Sequence, residues 1–329
     1  MAQTISVVVP VYNNQPTLEE TCQQILDIHR REFGDFGLEI IFVNDGSTDG
    51  SLQELERLQQ LHPDSVSLIN LSRNFGQLGA LYAGFNHARG DAVICVSADL
   101  QDEISLMGKM VGYWKNDTEV VICYREDRDE GFLSRKFSNI AYAIARISSP
   151  ELPTGGFDYW LMSRKVCDML CSFKGRHNFL QGYLLSVGFS RAFIPYTRAA
   201  RKAGRSGYRF AKKLKIVIDF IVDSSYLPIR FMSGLGVLVS LSGVAYSILI
   251  VYAWLIQKTP FEGWAPLIMI TMLIGGVVMI MLGVIGEYIW RIYDNLRDFP
   301  LFIVESKSMS ARGDDTSKIN LSPRAGEQA

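Results

Sequence analysis

Residues 91–103 read DAVICVSADLQDE. A strand-like apolar run, 91–98, breaks into an acidic and polar turn. Continued as an extended segment, alternation puts Ser97, Asp99 and Gln101 on one side. Asp99 and Gln101 are hard oxygen donors suited to Mg2+ or Mn2+ held partly by substrate phosphates. The plainer alternative for the same residues is a helix start capped at Asp102.

The same pattern surrounds this stretch. Apolar runs rich in Val and Ile occur at ISVVVPV (5–11), LEIIFVN (38–44), VSLINLS (66–72) and EVVICY (119–124), a composition that favours strands. Helical patterns lie between them. SLQELERLQQL (51–61) sets Leu52, Leu55, Leu58 and Leu61 on one face, and QLGALYAGFNHA (77–88) is a second such stretch. Near-continuous apolar strands alternating with helices predict a mostly parallel sheet covered on both faces. Ligands of such sheets bind beyond the carboxyl ends of the strands, so the polar turns there carry the functional reading. ISVVVPVYN (5–13) ends with Pro10, which stops regular pairing, and Tyr12, a flat ring for a base. VNDGSTDGS (43–51) ends its strand at Asp45, whose carboxylate can accept hydrogen bonds from a ribose or a base, or merely serve a strand-to-helix loop. Gly46 and Gly50 permit its tight turn. SRNFGQLGAL (72–81) follows the third strand in the same way.

After Arg230 the solvent changes. Residues 231–257 and 263–286 contain no charged side chain, and each run is long enough to cross a hydrocarbon core about 30 Å thick. Glycines within them permit close helix approach. Lys212, Lys213, Lys215 and Arg230 precede the first run, and Arg291, Arg297 and Lys307 follow the second. The positive-inside rule then puts both ends in the cytoplasm. Trp254, Trp264 and Trp290 suit interfacial anchors. The predicted organisation is a cytoplasmic domain (1–207), an amphipathic helix on the membrane surface (208–227), two transmembrane helices within 228–293 (about 231–257 and 264–290), and a cytoplasmic tail (294–329) without fixed structure from Ser306 onward.

The formal net charge is −1, which predicts no nucleic-acid partner. The local exception is 198–215, with eight Lys or Arg and no acid, which reads as a solvated face or a contact for phosphate or anionic lipid. Cys22, Cys95, Cys123, Cys167 and Cys171 form no CxxC pair and read as reduced thiols. The N-terminus runs into SVVVPVY without a basic segment, so no signal peptide is expected.

PVYN, NDGSTD, RNFG and SADLQD, in this order at strand ends and followed by two apolar spans, resemble the family 2 glycosyltransferases. The closer resemblance, from about residue 5 to 305, is to polyprenyl-phosphate glycosyltransferases, which include dolichol-phosphate mannose synthases and bacterial undecaprenyl-phosphate enzymes of the GtrB and ArnC kind. FDYWLMSRKV (157–166), RKAGRSGY (201–208) and GEYIWRIYDNLRDFP (286–300) support it.

The resemblance implies a Rossmann-like GT-A domain followed by a two-helix transmembrane hairpin in a bacterial inner membrane. It also implies inverting transfer of a sugar from a nucleotide-sugar to polyprenyl phosphate. Pro10, Tyr12, Asn14, Asp45, Asn74, Gly76 and Ala98 would surround the nucleotide-sugar, with Arg201, Arg205 and Ser206 on its diphosphate. Asp99 and Gln101 would hold Mg2+ or Mn2+. Arg125, Arg128, Arg135 and Ser138 would bind the acceptor phosphate, and Asp99 and Asp158 would carry the catalytic work. The expected sugar donor is UDP-glucose, with a modified arabinose or GDP-mannose as alternatives, and the expected assembly is a homo-oligomer, taken as a tetramer.

The sequence departs from the family pattern at four places. Ser97 replaces the first Asp of D-x-D, Asn14 an acid, Trp160 a frequent Arg, and Ser206-Gly207 a frequent Ser-Lys, with Arg205 nearby to supply charge. Two other readings stay open. A processive polysaccharide synthase would carry Q-x-x-R-W and more spans. A catalytically silent nucleotide-sugar-binding membrane protein draws on Ser97.

Overall fold

The structure is a computed structural model that describes residues 3–125, 153, 157–172, 180–197, 227–257, 264–296 and 299–310. Its strands are β1 (Thr4–Val11), β2 (Gly37–Asn44), β3 (Val66–Leu71), β4 (Ala92–Cys95), β5 (Val120–Arg125), β6 (Tyr159–Ser163), β7 (Arg191–Tyr196) and β8 (Val304–Ser308). The helices are α1 (Leu18–Glu32), α2 (Ser51–Leu61), α3 (Gly76–His87), α4 (Leu106–Lys115), α5 (Arg164–Ser172), α6 (Leu180–Ser186), α7 (Leu227–Gln257) and α8 (Trp264–Leu296).

All eight strands form one sheet in the order β7-β5-β6-β4-β1-β2-β3-β8. The centre, β4-β1-β2-β3, is parallel, as is β5-β7. β6 runs antiparallel to both its neighbours, and β8 runs antiparallel to β3. The sheet is thus mixed, where the sequence pattern predicts a mostly parallel one. The difference lies in β6 and β8, which enter from distant segments.

Both faces are covered, as the unbroken apolar runs predict. Period-2 alternation sends Val7, Val9, Ile40 and Phe42 to a core beneath α1, α2 and α4, and Val8, Ile41 and Val43 to a core beneath α3, α5 and α6. Gly84 lets α3 lie close on β1, because a Cβ there would meet Val8 Cγ1 at 2.3 Å. In α2, Leu55 and Leu58 are buried while Leu61 is exposed, so the predicted four-leucine face is shorter than its i+3 spacing suggests. A helical turn of 3.6 residues rotates the last leucine out of the core.

α7 and α8 are 31 and 33 residues long, and Gly236 faces Met281, whose thioether would lie 3.8 Å from an added Cβ. Among the described residues one helical segment is long and apolar enough to cross a membrane, Leu273–Asp294, with mean hydropathy 1.9 over an apolar window of which none is buried. In α7 the apolar stretch meeting the composition test is the shorter Gly234–Gly243.

Beyond α8 the chain returns to the sheet. Residues 304–308 form β8, although the sequence reading has no fixed structure from Ser306 onward. The stretch VESKS has no apolar alternation, so its order comes from pairing with β3 and from Ser310 N–H donating to Ser67 Oγ at 2.9 Å. The surface helix expected at 208–227 lies outside the described residues except at its last position, Leu227, where α7 begins.

Candidate functional site

The topology collects the motif loops at one end of the sheet. β1 to β4 deliver the PVYNN, NDGSTDG, RNFG and SADLQD turns beyond their carboxyl ends. β5 ends there at Arg125, antiparallel β6 begins there just after Asp158, and β7 ends there at Tyr196.

The first two loops are bound to each other. Asn13, with φ 56°, accepts from Thr48 N–H at 2.8 Å through its side chain and donates its own N–H to Ser47 Oγ at 3.1 Å. Asn14 N–H donates to Ser51 Oγ at 3.0 Å, and Asn14 Oδ1 accepts from Tyr12 N–H at 3.2 Å. Asp49 accepts from Gln15 N–H at 3.3 Å and Ser51 N–H at 3.0 Å. Burial alone would raise the Asp49 pKa, but the hydrogen bonds from Ser51 and Gln15 outweigh it and hold this carboxyl below its ordinary range. Tyr12 is left 48% exposed, open for a planar ligand to stack on. Pro10 is half-buried and does not stop the pairing as the sequence suggests: it stays in register with Val43, and β1 runs on to Val11 opposite Asn44.

Asp45 ties the third loop to the second. Its carboxylate is 3% exposed and accepts from Phe75 N–H at 2.7 Å and Gly76 N–H at 2.9 Å. Burial raises its pKa above the ordinary value, and these two amides partly offset the rise. Asn74 Oδ1 also accepts from Gly76 N–H, at 3.1 Å. Gly46 makes the junction possible. Its φ is +63°, and a Cβ would lie 2.6 Å from Arg73 C and Asn74 N. Gly76 likewise adopts a positive φ, of 85°.

The acidic turn after β4 is not an extended continuation of the strand. β4 stops at Cys95, and Leu100 takes φ 56°, so simple alternation does not place Ser97, Asp99 and Gln101. The turn is fixed from below instead. Thr17 Oγ1 donates to Ala98 O at 2.6 Å. Asp99 Oδ1 accepts from Gln101 N–H at 3.3 Å, and both residues reach the surface half-exposed. No three His, Cys, Asp or Glu converge on a metal position among the described residues. The donor set at Asp99 and Gln101 therefore fits a divalent ion that takes its remaining ligands from phosphate and water. A left-handed non-glycine residue inside this turn is the kind of strain found at functional sites.

Asp102 opens no helix as a cap. It is 5% exposed. One of its oxygens accepts from Ser97 N–H at 3.2 Å and Ser97 Oγ–H at 2.5 Å, and the other accepts from Tyr196 Oη–H at 2.7 Å. Arg125 stands beside Tyr196 in register on the neighbouring strand. Arg125 Nη2 also pairs with Asp158 Oδ2 at 2.5 Å. Its Nε is buried without a partner among the described residues. Burial works to lower the Arg125 pKa, but Asp158 and Tyr196 outweigh it and the pKa rises. Burial first, then Asp102, pushes the Tyr196 phenol upward, so it stays a proton donor.

The structure thus brings Pro10, Tyr12, Asn14, Asp45, Asn74, Gly76, Ala98, Asp99, Gln101, Arg125 and Asp158 to one sheet end. Arg128, Arg135, Ser138, Arg201, Arg205 and Ser206 lie outside the described residues. Trp160 is 1% exposed and packs edge-on against Phe157 at 5.8 Å, so this departure from the family pattern is part of the core. Asp102, Tyr196 and Thr17 are site residues that the sequence reading does not assign. The tyrosine carries no motif. Asp102 sits in view inside SADLQD, where Ser97 was the signal that its neighbour differs.

Comparison with known proteins agrees with this geometry. Residues 6–170 match the family described as glycosyl transferase family 2. An uncharacterised glycosyltransferase of Bacillus subtilis, YkcC, is 37% identical over 91% of this chain and 93% of its own length. The prophage-derived bactoprenol glucosyl transferase of Shigella flexneri is 33% identical over 92% of this chain and 97% of its own. Among solved structures, mannosyl-3-phosphoglycerate synthase from Rubrobacter xylanophilus shares 17% identity with a TM-score of 0.48, covering 67% of this chain and 72% of that one. With strand-end motifs gathered over one edge of an α/β sheet, and relatives matched along nearly their whole length, the chain belongs to glycosyl transferase family 2.

Proposed function

We propose that this glycosyltransferase moves a sugar, glucose from UDP-glucose in the first instance, onto polyprenyl phosphate with inversion, at the cytoplasmic face of a bacterial membrane. The observation that carries the reading is the Arg125–Asp158 pair beside the Asp99 turn. It sets a cation suited to a lipid phosphate, and a carboxylate, next to the loop suited to a sugar diphosphate. The bactoprenol glucosyl transferases at 31–33% identity support the acceptor and the sugar.

In this reading Tyr12 stacks on the nucleobase while Pro10, Asn14 and Asn74 line the nucleoside. Asp45 keeps the RNFG loop in shape, with Gly76 at its turn and Ala98 beneath the sugar-phosphate. Asp99 and Gln101 would hold Mg2+ or Mn2+, which would supply charge neutralisation for the leaving diphosphate, and Arg201, Arg205 and Ser206 would contact that diphosphate. The acceptor phosphate has a second pKa near ~6 and is largely dianionic at neutral pH. It needs positioning more than a strong base. Arg125, with Arg128, Arg135 and Ser138, holds it by charge-assisted hydrogen bonds, and Asp158 aligns the nucleophile or stabilises positive charge on the sugar.

α7 and α8 form the membrane hairpin in this reading. β8 supports it: the chain after α8 rejoins the sheet it left before α7, so both ends of the helix pair stand on the side of the catalytic domain. The homo-oligomer, taken as a tetramer, completes the proposal.

The test is transfer of radiolabelled glucose from UDP-glucose to undecaprenyl phosphate by the purified chain with Mg2+. Label in the lipid phase supports the reaction. Transfer from another donor corrects the sugar alone. Binding of UDP without transfer from any donor overturns the reading in favour of a silent binding protein.

A further inference from the structure

The first acid of the family's D-x-D triplet is Ser97 here, and the structure shows what occupies that serine. Its hydroxyl and its N–H both donate to one oxygen of Asp102, at 2.5 and 3.2 Å. The other oxygen of Asp102 accepts from Tyr196 at 2.7 Å. Tyr196 has one proton and gives it to Asp102, so toward Arg125 it offers a lone pair. Arg125 lies beside it in strand register and reaches across to Asp158. A series of neighbouring polar groups, Ser97–Asp102–Tyr196–Arg125–Asp158, therefore joins the turn after β4 to the ends of β5, β6 and β7.

We infer that Tyr196 and Asp102 are positioning residues for Arg125, and that Ser97 serves this chain rather than metal binding. The inference rests on the reading of Arg125 as a contact for the acceptor phosphate. Arg125 is a long side chain with several rotamers, and holding it in one geometry carries an entropic cost at the moment of binding unless it is held beforehand. The phenol lies beside the guanidinium in strand register while Asp158 accepts from it. The buried Nε has an N–H without a partner among the described residues.

The chain also explains the residue at 97. An aspartate there would set a second carboxylate against Asp102 at a separation where Ser97 now donates a hydrogen bond. A carboxylate at 97 has no hydroxyl proton to give to Asp102, so this hydrogen bond would be lost. The serine and Asp102 are in this way a matched pair, and Asp99 is left as the carboxylate of the triplet that faces the diphosphate.

The experiment uses the full chain in detergent and titrates undecaprenyl phosphate by calorimetry, with UDP and Mn2+ titrated separately. The variants are Tyr196→Phe, Ser97→Ala and Ser97→Thr. The expected result is that Tyr196→Phe and Ser97→Ala weaken lipid-phosphate binding about tenfold, leave UDP binding within about twofold, and that Ser97→Thr, which keeps the hydroxyl, restores the wild-type value. In transfer assays the same two variants raise the acceptor KM with little change in the donor KM. Equal affinity of Tyr196→Phe and wild type for the lipid phosphate overturns the inference. So does a loss that falls on UDP and lipid phosphate alike, which marks a merely structural role. A wild type that does not bind the lipid phosphate overturns it as well. A wild type that binds the lipid phosphate but transfers no sugar overturns the proposed reaction instead, and the Tyr196→Phe ratio still decides the inference.

Discussion

The two halves of the sheet edge are built by different means. On the β1–β3 side, short loops (residues 12–17, 45–50 and 72–75) follow parallel strands and are fastened to each other mostly by backbone amides, through Asn13, Asn14, Asp45 and Asp49. On the β5–β7 side the working groups are single side chains, Arg125, Asp158 and Tyr196, from strands far apart in sequence, meeting across an antiparallel insertion. Backbone cradles tolerate changes of side chain but not of φ. Side-chain chains tolerate little change of side chain at all. The first half suits recognition of a constant nucleoside diphosphate, the second a fixed placement of reacting groups.

The largest effect expected from breaking this contrast is at the turn between the halves. Asp99→Ala removes the exposed carboxylate and lowers kcat about 10²–10³-fold, as loss of a transition-state charge contact does, measured by label transfer at saturating donor. A residual rate close to wild type would move the metal role elsewhere. Next comes the ion pair. In a double-mutant cycle with Arg125→Met and Asp158→Asn, the coupling in kcat/KM for the acceptor is about 0.5–3 kcal/mol, while donor affinity stays near wild type. Additive effects would show that the two groups act independently.

Ser97→Asp sharpens the comparison from the opposite direction. It restores the family's common residue yet is expected to lower transfer by about tenfold, because it cannot donate the hydrogen bond that Ser97 gives to Asp102. A gain in activity would show that position 97 reports to the metal after all. Smaller still is the effect of Gly46→Ala. The positive φ and the close approach to the Arg73–Asn74 peptide cost about 1–3 kcal/mol, seen as a lower Tm together with weaker UDP binding.

The smallest effect is with acid. The Asp49 pKa is lowered in the folded chain. Its contribution to stability is therefore complete above the unfolded value near ~4 and is lost as pH falls through the folded value. Acid unfolding of wild type and Asp49→Asn should converge at the low end of that window and differ slightly above it. An equal gap at every pH would assign the aspartate's role to packing.

Much of the β1–β3 side was legible because its signals are local. Period-2 apolar runs, glycines at forced turns and short polar side chains at strand ends each state their structure within a dozen residues. β6 was visible only as part of a motif, since FDYWLMSRKV does not reveal that its strand runs antiparallel between β4 and β5. The stretch after β4 reads as extended in the sequence because nothing in SADLQD marks Leu100 as left-handed. Its conformation is set by Thr17 from outside the turn and by Asp102 at its end.

The sequence by itself determined the covered α/β sheet, the motif loops and the apolar runs after Arg230, since each follows from composition or periodicity along the chain, while its ordered motifs carry the resemblance to the family. Only the tertiary structure decided that Arg125 pairs with Asp158, that Asp102 and Tyr196 join them to Ser97, and that the polar VESKS becomes the edge strand β8. The reason is physical. Hydrogen bonds and ion pairs between distant segments depend on strand order and register, and a side chain whose partner lies 94 residues away along the chain, as Tyr196 lies from Asp102, leaves no trace in the pattern around it.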